Sequence, residues 1–372
     1  MWKLTLFWLL LPTLPLNALT LTARTLGGNW SAAGTWSTSG SGGAPASAAP
    51  TPADDVILEA GSGNVTVDWM TGQIDRYCRS LDTTRGTGNY AGTLTTNSGM
   101  TLHIGDGTPG PSNVALKLNG SMTFSPNMTS ILSFESTSAT QQTIDFAGLS
   151  APNLTFNGAG GSWKLLSAYT QETNTYQVGI TLIAGSLDTN SQAITADGVV
   201  SSGTATRSLT LGTSTLTLAT HASGWAFADT TGLTFSGASS TITVQYPSAT
   251  NMAFSSSGGP SLTFGSFNIP CGGTTSGTLS TANGTTFATL SFIAPWYGTT
   301  CTWLLASNIV VTGTLTLAGW NSTTKATLQS TVAGTVRHVT NVTRSLTNYT
   351  LTDIVFGTAL NAIRHRVITG GE

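Results

Sequence analysis

Short segments in which apolar residues alternate with threonine or serine recur along most of the chain. A three-residue core of apolar residue, Thr or Ser, and apolar residue begins, for example, at Leu154 and Ile180. Alternation with a period of two places apolar side chains on one side of a β-strand and hydroxyl-bearing side chains on the other. Gly, Ser, Asn and Asp separate these segments, as at residues 188–190, which is typical of turns. The pattern therefore predicts many short strands, each buried on one side.

The spacing of these cores is typical of a solenoid. Nine cores start at Met100, Met122, Leu154, Ile180, Leu209, Leu233, Leu262, Leu290 and Leu315. Successive starts are 22 to 32 residues apart, within the period of about 20 to 50 residues that marks solenoids, propellers and arrays. A propeller blade is longer, at about 40 or more residues. We predict an all-β fold, a right-handed parallel β-helix with an N-terminal β cap.

Stacking of the coils predicts how individual side chains are arranged. We expect one continuous inward row that contains Leu154, Ile180, Leu209, Leu233 and Leu262. Threonine suits the outer surface because it is β-branched and its hydroxyl keeps a flat surface wet without charge. Stacked Ser, Thr and Asn also tolerate close packing between coils, which like charges would oppose.

The first 18 residues differ from the repeats. Lys3 is followed by an apolar run and then by small residues, the order of a secretory signal peptide. The alternative is a misannotated leader before the true start of the protein. No other stretch reaches 18 consecutive apolar residues, so the sequence predicts no membrane span.

The remaining chain divides into three predicted segments. Residues 19–82 are expected to form the N-terminal cap, because a solenoid exposes an apolar end unless a cap covers it. In this segment we expect Trp30 and Trp36 to be buried. The repeats are assigned to residues 83–327. Residues 328–372 are more basic, and we treat them as a separate C-terminal segment that a truncation could have shortened.

Composition excludes several classes of protein. Only 8% of the residues are charged, against about 25% in ordinary soluble domains. With 13 Lys and Arg against 15 Asp and Glu, the chain lacks the basic surface of a nucleic-acid binder. A hydrophobic content of 39% argues against intrinsic disorder. The scarcity of Glu and Lys, four of each, argues against a helical protein.

The cysteines do not form a disulfide framework. Of the three, Cys271 and Cys301 could pair across neighbouring coils and leave Cys78 alone, or all three could be buried thiols. No Cys and His spacing typical of a zinc site is present, and the sequence predicts no metal and no cofactor.

Paired carboxylates are the candidates for catalysis, because glycoside hydrolysis needs two carboxyl groups at a fixed separation. Acidic residues about one or two coils apart are Asp145, Glu172, Asp188, Asp197 and Asp229. Their neighbours are mostly those of turns, where Asp binds its own backbone. We therefore predict no enzymatic activity, with a polysaccharide-cleaving β-helix enzyme as an alternative.

Tryptophans supply the candidate binding surface. Exposed Trp on a rigid face can stack on sugar rings while Ser, Thr and Asn bind the sugar hydroxyls. The candidates for carbohydrate binding are Trp163, Trp225, Trp296, Trp303 and Trp320. The alternative is that these side chains fill gaps at the turns or the ends of the solenoid.

The segment from Asn29 to Ile57 resembles the eight-glycine type of extracellular β module and the opening of β-helical proteins from tailed phages and environmental viruses. Four later phrases are similar to phrases in that phage group: residues 78–82, 143–148, 154–161 and 184–190. The resemblance covers roughly residues 22 to 345. It implies a structural or host-recognition role on a virion tail, as a homo-oligomer such as a trimer or attached to other tail proteins.

These observations together predict a non-enzymatic structural or adhesive protein. It would be a phage tail fibre or tailspike-like component on the virion surface, presenting a surface to host polysaccharide. A secreted microbial adhesin at the cell surface is the alternative, and a signal peptide would suit it.

Overall fold

The computed structural model describes residues 18–69, 75–172, 178–219, 224–227, 229–245, 252–256, 261–270, 276–282, 284–294, 301–323, 325–357 and 367–370. Within these ranges the chain forms short β-strands, two three-residue 3-10 helices (Ala33–Thr35 and Pro111–Asn113) and no α-helix. The strands stack in parallel into a β-solenoid of about 10 turns. The all-β parallel β-helix predicted from the repeat is confirmed.

The strands of the first coils are β1 (Thr20–Ala23), β2 (Gly28–Asn29), β3 (Trp36–Ser37), β4 (Asp55–Ile57), β5 (Val65–Val67), β6 (Asp75–Cys78), β7 (Ser80–Asp82), β8 (Thr93–Thr96), β9 (Thr101–Ile104), β10 (Val114–Lys117), β11 (Thr123–Ser125), β12 (Ile131–Phe134), β13 (Gln142–Asp145), β14 (Ser150–Ala151), β15 (Asn153–Leu165), β16 (Tyr169–Gln171) and β17 (Ile180–Asp188). Those of the later coils are β18 (Ile194–Ala196), β19 (Val199–Ser201), β20 (Arg207–Thr210), β21 (Thr215–Ala219), β22 (Trp225–Phe227), β23 (Leu233–Gln245), β24 (Met252–Ser256), β25 (Thr263–Pro270), β26 (Ser276–Thr281), β27 (Thr285–Ile293), β28 (Cys301–Leu305), β29 (Ile309–Ala318), β30 (Ala326–Ser330), β31 (Arg337–Thr347), β32 (Tyr349–Thr352), β33 (Ile354–Phe356) and β34 (Val367–Gly370).

The coils pass through three β-sheet faces, which we name in chain order. Face A begins with β1, β4, β7, β10 and β13, which pair in parallel one above the next. Face B begins as a separate sheet of β2, β5, β8 and β11 and continues from β14 and β16 to β31. Face C runs from β6, β9 and β12 to β32. The long strands, such as β15 and β29, turn a corner and contribute to two faces.

The core is an apolar column inside the stacked coils. Leu154 pairs with Ile180, and Val199 pairs with Trp225, so that each partner lies 26 residues further along the chain. All four side chains are buried. As the alternation of apolar and polar residues predicts, the apolar residues face inward and their polar neighbours face outward.

The prediction of one inward row through the starts of the repeats is wrong. All five residues are buried, but only Leu154 and Ile180 pair directly, on face C. Leu209 pairs with residues of face A, and Leu233 pairs there with Arg207. The cores look alike in sequence because each face needs the same alternation, so they do not mark one position in the coil.

Two tryptophans of the N-terminal segment are buried, as predicted. Trp30 and Trp36 are fully buried, with their rings 4.9 Å apart in an edge-to-face arrangement. The indole N–H of Trp36 donates a hydrogen bond of 2.8 Å to the carbonyl oxygen of Trp30. Strand β3 pairs antiparallel with β1, which in turn pairs in parallel with β4. The first coil is thereby covered by its own N-terminal strand and by two buried indoles.

The segment boundaries differ from those expected at residues 83 and 327. Parallel rows already include β4 to β7, which lie before residue 83. Parallel pairing also continues after residue 327, through β31 and β33. The predicted boundaries were based on changes in composition. These changes arise mostly in the corners, whereas the rows of paired strands continue across residues 83 and 327 without a break.

Two further predictions from the sequence concern the leader segment and the absence of a membrane span. Most of the predicted leader, residues 1–17, lies outside the described residues. Within the part of the chain that is described, no helix is long and apolar enough to cross a membrane.

Candidate functional site

The tryptophans predicted to stack on sugars do not form a surface row. Trp163, Trp225 and Trp303 are inside the coils, with exposed fractions of 0%, 1% and 3%. For these three residues the prediction is wrong, because they occupy inward positions of their strands and pack against phenylalanines of the core. Trp320 is 59% exposed, in the corner between β29 and β30. Trp296 lies outside the described residues.

Three of the candidate catalytic carboxylates stabilise turns. Asp145, Asp188 and Asp229 each accept a hydrogen bond from the backbone N–H two residues later, at 2.9, 2.7 and 2.7 Å respectively. This geometry is that of an Asx turn, as their sequence contexts predict. The bond from the N–H of Thr231 lowers the pKa of Asp229.

The other two candidates lie near a polar residue of face B. The backbone N–H of Asp197 donates a 2.6 Å hydrogen bond to Oε1 of Gln171. Glu172 follows Gln171 directly, and its N–H donates a hydrogen bond to the carbonyl oxygen of Ala151 at 2.8 Å. Both contacts are made by the backbone and fix the path of the chain through these coils.

The cysteines are only partly described. Cys78 is a fully buried thiol, and burial raises its pKa far above the ordinary value. Cys271 and the side chain of Cys301 lie outside the described residues, so their disulfide stays a prediction.

A cluster that the sequence analysis did not assemble lies on the outer side of face C. Strands β6, β9 and β12 stack in register, which places Tyr77 beside His103 and His103 beside Ser133. Their neighbours in sequence, such as Leu102 and Leu132, point into the core. The alternation therefore presents one polar side chain from each of three successive coils at the same position on the surface.

The cluster is organised around His103. Its Nδ1 lies 2.7 Å from Oε1 of Glu135, and its Nε2 lies 3.2 Å from Oδ1 of Asp75. The ring of Tyr77 stacks on the imidazole, with centroids 4.8 Å apart and planes 19° from parallel. The hydroxyl of Ser133 donates to the same Glu135 oxygen at 2.7 Å. We call Asp75, Tyr77, His103 and Glu135 the histidine cluster.

Two carboxylates set the charge of this ring. Burial by itself would lower the pKa of His103, but its hydrogen bond to Glu135, its ion pair with Asp75 and the negative charges of both carboxylates outweigh burial, and the pKa is raised. The hydrogen bond with His103 lowers the pKa of Glu135, although burial opposes this effect. An imidazolium between two carboxylates is the state that these contacts stabilise.

The histidine cluster remains open to solvent. Tyr77 is 36% exposed and the side chain of Asp75 is 42% exposed, so both can contact a molecule that approaches face C. His103 points outward from its strand, because it alternates with the buried Leu102 and Ile104. The sequence does not predict that Asp75 and Glu135 lie beside His103, because the lengths of the corners between coils determine which residues align.

No family model matches this chain, and no similar protein was found among either the curated proteins or the solved structures. In the described part of the chain, no three His, Cys, Asp or Glu side chains are arranged to hold a metal ion. The candidate site is therefore assigned from its own chemistry, which combines an exposed aromatic ring with carboxylates held in fixed positions.

Proposed function

We propose that this protein is a non-enzymatic adhesive β-solenoid that binds host-surface polysaccharide through the histidine cluster. The observation that carries the proposal is the exposed ring of Tyr77, stacked on an imidazole that two carboxylates hold in place. Aromatic faces pack against the apolar faces of sugar rings, and a small number of fixed polar groups orients the ligand.

Each carboxylate of the histidine cluster has a second oxygen that can accept a hydrogen bond from a sugar. The contacts with His103 use Oδ1 of Asp75 and Oε1 of Glu135. Each carboxylate has a second oxygen, which can accept a hydrogen bond from a sugar hydroxyl. The ring of Tyr77 and these two oxygens together offer the chemistry that a neutral sugar requires.

The same cluster favours binding over cleavage. A glycosidase needs a carboxylic acid whose pKa is raised, so that it is protonated when it meets the leaving oxygen. His103 instead lowers the pKa of Glu135, which keeps this group ionised. The paired carboxylates therefore favour sugar binding over hydrolysis.

We place the protein on the virion surface, as part of a phage tail fibre or tailspike, in keeping with the resemblance of its sequence to β-helical phage proteins. A single exposed site of this size binds weakly, and several identical chains, as in a trimer, would raise the avidity. A secreted microbial adhesin would use the same surface. Genes for tail or capsid proteins beside this gene favour the virion, whereas a secretion locus favours the adhesin.

Retention on immobilised polysaccharides from candidate host surfaces tests the site. The full chain should be retained, and Tyr77→Ala should weaken retention about tenfold because it removes the stacking ring. Trp320→Ala removes the exposed tryptophan that the sequence analysis named as a candidate for sugar binding, and this variant should bind normally if the histidine cluster is the site. Loss of retention with Trp320→Ala but not with Tyr77→Ala would overturn the assignment, as would a wild-type chain that none of the polysaccharides retains.

A further inference from the structure

Face B carries a continuous file of polar side chains on its outer surface. One member comes from each of eight successive coils, and each pairs in register with the next. The members, all but one with a hydroxyl group, are Thr170, Thr195, Thr217, Thr243, Asn268, Ser291, Thr316 and Ser345.

A second file runs beside the first, two residues earlier in each strand. Its members are Thr215, Thr241, Ser266, Thr289, Thr314 and Thr343. Leu290 pairs with Leu315, so the step from Thr289 to Thr314 keeps the same register. Six successive coils therefore present the same pair of outward side chains, and we call these twelve residues the hydroxyl array.

The array is held rigidly. The residue between the two files is buried in every one of the first five coils: Leu216, Ile242, Phe267, Leu290 and Leu315. Most members of the array are threonines, whose β-branched side chains have restricted rotamers. Neighbours are about 4.8 Å apart between strands and about 6.7 Å apart along a strand, so the hydroxyl groups repeat in two dimensions.

The chemistry of the array excludes several ligands. Its twelve positions contain no charged and no aromatic residue, and the exposed Arg344, which lies between the two files in the sixth coil, sits over the ring of Phe356. Nucleic acid requires basic groups, and sugar rings are usually bound by aromatic side chains or in a concave site. An array of uncharged polar groups that repeats at fixed spacings instead complements another periodic surface of hydrogen-bonding groups.

We propose that the hydroxyl array binds ice. The water molecules at an ice surface form a regular two-dimensional lattice, and their spacing in its principal directions is close to the two repeats of the array. Each polar side chain makes one weak contact, but twelve contacts at fixed positions act together, and little conformational freedom is lost on binding. This activity goes beyond polysaccharide binding and uses another face, so the two proposals can fail separately.

Inhibition of ice recrystallisation by the full chain tests the proposal. The wild-type protein should keep ice grains small during annealing below the melting point. Thr243→Tyr places a bulky ring in the middle of the array, and at least about tenfold more protein should then be needed because the flat contact is interrupted. Thr181→Tyr is the matched control, since Thr181 is also a half-buried, outward threonine, but on face C.

Circular dichroism and thermal melting of both variants establish that each is folded, and Thr316→Tyr supplies a second disruption if Thr243→Tyr does not fold. A wild-type chain with no effect on ice grains would overturn the proposal. An equal loss of activity in Thr181→Tyr would do the same. Retention on crystalline cellulose or chitin that Thr243→Tyr abolishes, without any effect on ice, would assign the array to a polysaccharide instead.

Discussion

Individual polar residues have two distinct roles in this molecule. Some are structural: Arg207 is fully buried, and its guanidinium donates to the carbonyl oxygens of Ala205 and Thr231 at 3.0 and 2.9 Å and to that of Asp229. It also donates to the hydroxyl of Ser201 at 2.7 Å, and its pKa is lowered by burial. Arg207 thus joins two coils from inside, whereas the polar groups of the histidine cluster face solvent.

The raised pKa of His103 has a consequence for stability. A group whose pKa is higher in the folded state stabilises it fully below the unfolded pKa, about 6.5 for His, and this contribution is lost as pH rises through the folded pKa. Glu135, with its lowered pKa, contributes above about pH 4.3 and loses this contribution in more acidic solution.

We therefore expect His103→Gln to lower the melting temperature most below about pH 6.5, and progressively less as the pH rises through the raised pKa of His103. Melting curves between pH 5 and 9 measure this difference. Glu135→Gln should flatten the same pH dependence, because it removes the stronger partner of the ring. A difference between wild type and His103→Gln that is equal at every pH would contradict the assignment of an ion pair.

At the scale of elements, alternation was sufficient to predict strands but not their faces. Trp163 lies between the polar residues Ser162 and Lys164, and this alternation by itself indicates an inward side chain. The prediction that Trp163 stacks on a sugar ring rested instead on its large aromatic side chain. Only Arg79 separates β6 from β7, whereas ten residues, 83–92, separate β7 from β8. Because corners vary so much in length, residues one repeat apart in sequence need not align, and the histidine cluster could not be assembled without the structure.

The N-terminal cap carries the prediction at this scale. Deletion of residues 27–68 removes Trp30 and Trp36 and the strands next to them, which exposes the edge and the apolar interior of the following coil. We expect aggregates rather than a species of discrete size in light scattering. A deletion variant that stays soluble, folded and discrete would show that these residues do not protect the solenoid.

At the scale of the whole molecule, function follows from rigid repetition. The solenoid stacks about 10 coils in parallel, which fixes the spacing of every outward side chain. The histidine cluster needs three such coils, and the hydroxyl array needs six. Three of the candidate catalytic carboxylates, Asp145, Asp188 and Asp229, stabilise turns instead. Such a surface is suited to adhesion by repeated weak contacts.

The most direct test of adhesion without cleavage is the release of reducing ends from a polysaccharide that retains the protein. During prolonged incubation we expect the protein to stay bound and no reducing ends to accumulate, because Glu135 is kept ionised and cannot act as the acid. Steady release of oligosaccharides that Glu135→Gln, Asp188→Asn or Asp229→Asn abolishes would contradict this account and identify the protein as a polysaccharide-cleaving enzyme.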